Sequence, residues 1–204
     1  LRDQHATDAF FAAERPEYVI LAAAKVGGIK ASYTQPVDFL LDNLQIQNSV
    51  LSAAHRYDAK KVLFLGSTCI YPKVVEMPIR EESLLTGPME ETNASYGVAK
   101  IAGIKLCQGY RHQHGRDFIC GMPANLYGPF DNFDPEHSHV LPSLIRRFHE
   151  AKQSNAPFVT LWGSGTPKRE FLFVDDLASA CAFLLDNYSS PEIINIGCGW
   201  EISI

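Results

Sequence analysis

The sequence predicts an α/β fold in which helices cover both faces of a doubly wound parallel sheet. Strand-like and helix-like segments alternate along the chain, an order typical of parallel strands joined by helical crossovers. The segments 18–24 (YVILAAA) and 61–67 (KVLFLGS) are largely apolar. Apolar runs of this length indicate strands that are buried on both faces, as they are in a parallel sheet.

The first half of the chain is predicted to hold three strands and two long helices. In chain order these are a strand at 18–24, a helix at about 36–57, a strand at 61–67, a loop at 72–92, a helix at 95–115 and a strand at 117–125. The first helix is predicted from apolar residues at helical spacing, and Gly115 is a natural C-cap for the second.

The second half is less regular. Its predicted elements are a Pro-, Asp- and Asn-rich loop at 126–139, a helix at about 140–151, strands at 158–162 and 169–174, a helix at 175–187 and a last strand at 192–197. The acidic residues at the start of the 175–187 segment favour a helix N-terminus there.

Composition excludes several classes of partner. The chain has 204 residues, 46% of them hydrophobic and 20% charged, which is ordinary for a globular protein. Its net charge of −5 offers no basic surface for nucleic acid or for an anionic membrane. No apolar run reaches the roughly 18 residues that a membrane-spanning helix needs. We therefore expect neither a nucleic-acid partner nor a membrane partner.

The cysteines and the chain ends give two further expectations. Five cysteines, odd in number and without a CxxC pair, predict neither a disulfide framework nor a metal site, and they suit a reducing, cytoplasmic compartment. The chain lacks an initiator methionine and a signal peptide, and its last residues, GWEISI, resemble the entry to another element. We therefore expect sequence to be missing at both ends.

Tyr96 and Lys100 are four residues apart in a predicted helix and so share one face. Tyrosine is a slow acid–base group at neutral pH, but an ammonium beside it favours the phenolate and lowers the pKa. Ser67, at the tip of the preceding strand, could hydrogen-bond the carbonyl oxygen that Tyr96 protonates. Taken alone, Tyr96 and Lys100 could simply lie on an exposed helix face. Because their helix follows a strand that ends in Gly-Ser, a catalytic role is favoured.

Cys69 lies two residues beyond Ser67 at the same strand tip. A free cysteine is most often a small buried hydrophobic residue, and the spacing alone slightly favours that role. The residues by themselves leave a chemical role for Cys69 open.

Three motifs, GSTCIYP (66–72), SYGVAK (95–100) and MPANLYGP (122–129), together resemble the extended short-chain dehydrogenase/reductases that act on nucleotide sugars. Within these, four longer segments resemble the GDP-L-fucose synthase family, and its plant members most. They are LAAAKVGGI (21–29), DNFDPEHSHVLP (131–142), RRFHEA (146–151) and LWGSGTPKREFLFVDD (161–176). The resemblance implies a Rossmann-like cofactor-binding domain at 1–126 and 175–204. It also implies part of a small substrate-binding lobe at 127–174.

The resemblance also implies a reaction, a cofactor and a set of site residues. The reaction is the NADPH-dependent 3,5-epimerisation and 4-reduction of GDP-4-keto-6-deoxy-D-mannose to GDP-L-fucose by a homodimer. The implied catalytic residues are Ser67, Tyr96 and Lys100 for reduction and Cys69 and His139 as the acid–base pair of epimerisation. The implied NADP(H) site comprises Leu65, Gly66, Ser67, Thr68, Lys100, Pro123, Ala124, Asn125, Leu126 and His139. The GDP-sugar would be held by Arg147, Trp162 and Arg169. Unperturbed thiols and imidazoles, with pKa values of roughly 8.5 and 6.5, bracket neutral pH and suit the pairing.

The sequence departs from the family pattern in several places. The Gly-rich turn that binds a pyrophosphate is not present in this sequence. The expectation that the cofactor is NADP and not NAD therefore rests on the resemblance alone. Phe173 stands where His is usual, Ala124 where Thr is usual and Thr68 where Ser is common.

Alternatives remain for single residues and for the function. His139 could be a solvated loop residue, Arg147 part of a solvated helix face, Trp162 a core residue and Arg169 an ion-pair partner. A nucleotide-sugar 4-epimerase or 4,6-dehydratase is the alternative enzyme, although a dehydratase would carry an acidic pair at the positions of Thr68 and Cys69. A catalytically inactive chain that serves as a binding partner is the alternative from another class.

Overall fold

The computed structural model describes residues 1–134, 137–161 and 163–204. The helices are α1 (Gln4–Glu14), α2 (Ile29–Thr34), α3 (Pro36–Arg56), α4 (Ala94–His114), α5 (Val140–Gln153) and α6 (Val174–Asn187). The strands are β1 (Tyr18–Leu21), β2 (Lys61–Leu65), β3 (Asp117–Pro123), β4 (Asn125–Tyr127), β5 (Lys168–Arg169), β6 (Phe171–Phe173), β7 (Ile193–Ile196) and β8 (Ile202–Ser203).

A parallel sheet in the order β1-β2-β3-β7 forms the centre of the fold, which confirms the predicted α/β class. Two smaller sheets pair β4 with β6 in parallel and β5 with β8 antiparallel. None of the helices in the described part of the chain is both long and apolar enough to cross a membrane.

Helices cover both faces of the central sheet because neighbouring residues of a strand point to opposite sides. In β2, Phe64 packs into the core beneath α3 and α4, whereas Leu63 packs into the core beneath α6. Phe118 and Ile119 of β3 divide in the same way. The continuous apolar runs in the sequence therefore correspond to strands buried on two sides.

The carboxyl ends of β2 and β3 meet at one edge of the sheet. Their parallel register sets Leu65 opposite Gly121, and the N–H of Gly66 donates to the carbonyl of Gly121 at 2.8 Å. The chain segments that follow these two strands therefore leave the sheet side by side. This edge positions the candidate site.

α4 lies close to both α3 and the sheet at Gly103. A Cβ added there would lie 2.4 Å from Cζ of Phe64 and 2.8 Å from Oε1 of Gln47. Both neighbours are held, because Phe64 is fully buried and Gln47 donates to the carbonyl of Ala99 at 2.8 Å.

Gly103→Ala should therefore lower the free energy of unfolding by about 1–3 kcal/mol, because a methyl group cannot enter without displacing Phe64. The matched control is Gly109→Ala in the same helix, where a Cβ meets no described atom within 4 Å. Alanine's higher helix propensity should stabilise that variant by about 0.5–1 kcal/mol. Urea denaturation checks both, and equal effects in the two variants would contradict this account.

Several local predictions can be compared with the structure. Gly115 ends α4 in the left-handed conformation with φ of 64°, as predicted. The helices α1 and α2 were not predicted, although Asp3 caps α1 by accepting from the N–H groups of His5 and Ala6. The predicted strand at 158–162 is wrong for residues 158–161, which form no strand. Phe158 and Leu161 are exposed, and residues 158–161 pair with no strand among the described residues.

Candidate active site

A single 3-10 turn, Thr68–Ile70, follows the tip of β2. Ser67 caps this turn, since its Oγ accepts from the N–H of Cys69 at 3.3 Å. Gly66 precedes it at a point where a Cβ would lie 2.2 Å from Sδ of the buried Met122. The absence of a side chain at Gly66 therefore leaves room for the Met122 side chain where the site begins.

The first turn of α4 packs directly on this 3-10 turn. A Cβ on Gly97 would lie 2.8 Å from the carbonyl oxygen of Cys69, so only glycine allows this backbone approach. As a result, Tyr96 comes close to both Ser67 and Cys69, and the ionisation of each titratable group is affected by its neighbours.

The pKa values of Tyr96 and Cys69 are both raised. Burial raises the pKa of the Tyr96 hydroxyl, negative charge on Cys69 raises it further, and the Ser67 hydroxyl opposes the change. Burial also raises the pKa of the half-buried Cys69 thiol, against which the Ser67 hydroxyl and the positive charge of Arg169 act. At neutral pH the phenol is therefore protonated, and the thiol needs donors to ionise.

Lys100 is buried beneath the site, with 3% of its surface exposed. Its Nζ donates to the carbonyl of Leu65 at 2.7 Å and lies 4.8 Å from the ring centroid of Phe64 and 5.7 Å from that of Tyr96. Burial lowers the pKa of Lys100 to about 8. The expected lowering of the Tyr96 pKa by Lys100 is not found in this structure, and burial of the phenol raises that pKa instead.

Asn93 contacts Cys69 and was not among the predicted residues. Its Nδ2 donates to Sγ of Cys69 at 3.3 Å. In the sequence, an asparagine just before a helix indicates an ordinary N-cap, so its type and spacing give no signal of a contact with a thiol.

The predicted cofactor residues fall into two segments at the same sheet edge. Residues 65–68 follow or end β2, and residues 123–126 end β3 and begin β4. The second segment is fixed by backbone hydrogen bonds, from the N–H of Ala124 to Ile196 at 2.9 Å and from the N–H of Asn125 to Glu170 at 3.2 Å. Ala124 is buried, and the ring of Phe173 lies 5.5 Å from that of Tyr127.

His139 has no described contact with the cluster of Ser67, Cys69 and Tyr96. It is exposed at the N-terminus of α5, and the described side chains include no contact between it and Cys69. Its loop rests on the turn before α2, where the N–H of Gly28 donates to the carbonyl of His137 at 3.0 Å. A Cβ on Gly28 would lie 2.7 Å from the carbonyl oxygen of Ser138, so this docking also depends on a glycine.

Two of the three predicted substrate residues, Arg147 and Arg169, belong to the part of the chain that the structure describes. Arg147 donates to the carbonyl of Thr160, and Arg169 donates to the carbonyl of Lys168 at 2.7 Å. Arg169 is near enough to Cys69 for its charge to act on the thiol. Among the described residues, Arg147 has no such interaction with Cys69. Trp162 lies outside the described residues.

The chain was also compared with known proteins. The sequence model of the NAD dependent epimerase/dehydratase family matches residues 1–197. The chain is 61% identical over 204 residues to putative GDP-L-fucose synthase 2 of Arabidopsis thaliana and 62% identical over 205 residues to probable GDP-L-fucose synthase 1 of Oryza sativa subsp. japonica. Each match covers all of this chain and 62% of the relative.

A solved structure agrees with these matches. A GDP-L-fucose synthetase from Naegleria fowleri bound to NADP superposes with a TM-score of 0.87 at 36% identity, over 98% of this chain and 67% of that chain. The predicted resemblance to GDP-L-fucose synthases, including plant ones, is confirmed, and the chain spans about 62% of the length of the two curated relatives. The chain belongs to the NAD dependent epimerase/dehydratase family.

Proposed function

We propose that the full-length protein containing this chain converts GDP-4-keto-6-deoxy-D-mannose to GDP-L-fucose, by epimerising C3 and C5 and then reducing the C4 ketone with NADPH. The observation that carries the proposal is the meeting of the Cys69 thiol with Ser67 and Tyr96 at one sheet edge. A reductase alone needs no thiol there. The names of the two plant relatives, both GDP-L-fucose synthases, support the same substrate.

Epimerisation begins with loss of a proton next to the C4 ketone. Removal of the proton from C3 or C5 leaves an enolate, whose oxygen the hydroxyls of Ser67 and Tyr96 would stabilise by hydrogen bonds. Cys69 and His139 act as the acid–base pair: one takes the proton from the carbon, and the other returns a proton to the opposite face. No net proton is gained or lost. In this proposal the incoming sugar lies between Cys69 and His139, whose side chain is exposed at the start of α5.

Reduction uses the same hydroxyls. NADPH, when bound, supplies the hydride that C4 receives. Tyr96 gives its proton to the C4 oxygen, and its raised pKa keeps that proton in place at neutral pH. Ser67 hydrogen-bonds the same oxygen and orients the ketone.

The residues at the sheet edge fit the nicotinamide and ribose end of the cofactor. Lys100 uses one of its three N–H donors on Leu65, so two remain for a ribose diol. Gly66 lies at the same strand end, where its lack of a side chain leaves room for the buried Met122. We propose that these residues, with Ser67 and Thr68, line the cofactor site. Pro123, Ala124, Asn125, Leu126 and His139 complete the proposed set.

The remaining assignments are proposals of the same kind. Arg147 and Arg169 are proposed to bind the GDP phosphates, with Trp162 beside the sugar nucleotide. Residues 1–126 and 175–204 are proposed as the cofactor-binding domain, and residues 127–174 as part of the substrate lobe. We also propose a cytoplasmic homodimer. Five unpaired thiols suit a reducing compartment, and exposed apolar side chains of α3 and α4, such as Leu41 and Val98, suit a subunit interface.

Incubation of the full-length protein with GDP-4-keto-6-deoxy-D-mannose and NADPH tests this function. We expect consumption of NADPH and formation of GDP-L-fucose, identified by nuclear magnetic resonance of the product. A reduced sugar with unchanged configuration at C3 and C5 would reduce the function to that of a ketone reductase. No oxidation of NADPH would refute the proposal.

A further inference from the structure

The side-chain amide of Asn93 donates a hydrogen bond to Cys69, but its oxygen has no partner among the described residues. While Nδ2 donates to Sγ of Cys69 at 3.3 Å, Oδ1 is buried and has no hydrogen-bond partner among the described residues. Asn93 also stands immediately before α4, where an asparagine oxygen usually accepts from the first backbone N–H groups of the helix. It makes no such side-chain cap here.

This arrangement is unfavourable for stability alone. A buried amide oxygen without a partner destabilises the folded state, and a hydrogen bond to sulfur is a weak compensation. The contact would instead stabilise the thiolate form of Cys69. In a half-buried position burial opposes ionisation of the thiol, and each hydrogen-bond donor favours that ionisation. Ser67 and the charge of Arg169 act in that direction, and the Asn93 N–H is aimed directly at the sulfur.

We propose that Asn93 is a positioning residue for Cys69, whose amide N–H holds the sulfur in place and stabilises its thiolate for proton abstraction. The inference rests on the proposed epimerisation. A carboxamide suits a group that must both lose and regain a proton. Its N–H donates to the thiolate, and after rotation about the Cβ–Cγ bond its oxygen accepts from the thiol.

The rate of alkylation of Cys69 by iodoacetamide in the full-length protein tests this inference, because only the thiolate reacts. Mass spectrometry of the peptide that contains Cys69 separates its reaction from those of the other thiols. At pH 7, Asn93→Ala should alkylate about tenfold more slowly than the wild type, since a hydrogen bond to a charged group is lost. Asn93→Asp, which keeps the shape, should be slower still because its carboxylate repels the thiolate.

Two controls accompany the variants. The exposed Cys198 should alkylate at the same rate in every sample, and Asn187→Ala, which removes an exposed amide at the end of α6, should leave Cys69 unchanged. A purely structural role for Asn93 predicts the opposite sign, because loosening of the turn would expose Cys69 and speed its reaction. An unchanged or faster rate in Asn93→Ala overturns the proposal. If that variant does not fold, the same criterion applies to Asn93→Asp.

The alkylation result is independent of the reaction proposed above. A normal rate in the Asn93 variants would overturn the role of Asn93 and leave the epimerase–reductase function standing. Failure of the full-length wild type to form GDP-L-fucose would overturn that function and leave the altered thiol reactivity in place.

Discussion

Cys69→Ser in the full-length protein is expected to slow the exchange of the C3 and C5 protons of GDP-4-keto-6-deoxy-D-mannose with deuterated water by about 10²–10⁴-fold. Serine has nearly the shape of cysteine, but its hydroxyl ionises far less readily than a thiol, so the variant retains only His139 of the proposed acid–base pair. Deuterium incorporation, followed by mass spectrometry, measures the effect. Reduction of the epimerised ketone should fall far less, because Ser67, Tyr96 and Lys100 remain.

Cys198→Ser is the matched control. It removes an exposed thiol near the end of the chain, and its deuterium exchange should equal that of the wild type. Unchanged deuterium incorporation in Cys69→Ser would eliminate the base role of Cys69 and leave it as a packing residue.

Tyr96→Phe should lower the rate of ketone reduction by about 10²–10⁴-fold, because the variant loses the hydroxyl proposed to transfer its proton to the C4 oxygen, and Ser67 is proposed only to orient that oxygen. Single-turnover oxidation of NADPH isolates this step from epimerisation. Because burial raises the pKa of Tyr96, the wild-type rate should show no loss from tyrosine ionisation below about pH 10. Deuterium exchange should also slow, though less, since Tyr96 is one of two donors to the enolate.

Tyr71→Phe separates the loss of a proton donor from the loss of a buried hydroxyl. Tyr71 is buried directly after the 3-10 turn that carries Cys69, and it donates to Oδ1 of Asn195 at 2.6 Å. Removing this hydrogen bond should destabilise the protein by about 1 kcal/mol and leave reduction near the wild-type rate. A fully active Tyr96→Phe, or an equal loss in Tyr71→Phe, would contradict the assigned role of Tyr96.

The central sheet and its main helices could be predicted because each has a local cause. The runs in β2 and β3 are apolar on both sides, and Gly115 provides the positive φ that ends α4. The segment at 158–161 has a similar β-rich composition but no neighbouring strand, and pairing between distant segments cannot be read from one of them.

The site divides in the same way between local and non-local causes. Ser67, Tyr96 and Lys100 could be selected because strand tip and helix spacing place them together. The direction of the Tyr96 pKa shift could not be predicted from the sequence, because it depends on how deeply the fold buries the phenol. The contact of Asn93 with Cys69 joins residues 24 positions apart. It is created by the close approach of α4 to the 3-10 turn, which no sequence pattern describes.

The backbone contact between Gly97 and the carbonyl of Cys69 has a consequence for redesign. Tyr96, the proton donor, lies in the first turn of α4, and the Cys69 thiol lies in the 3-10 turn. These two turns contact each other through main-chain atoms, so neither can be shifted without moving the other. Directed evolution of this scaffold should therefore separate its two activities by exchanging side chains at fixed positions. Libraries that vary loop length around residues 67–97 should instead lose both activities together.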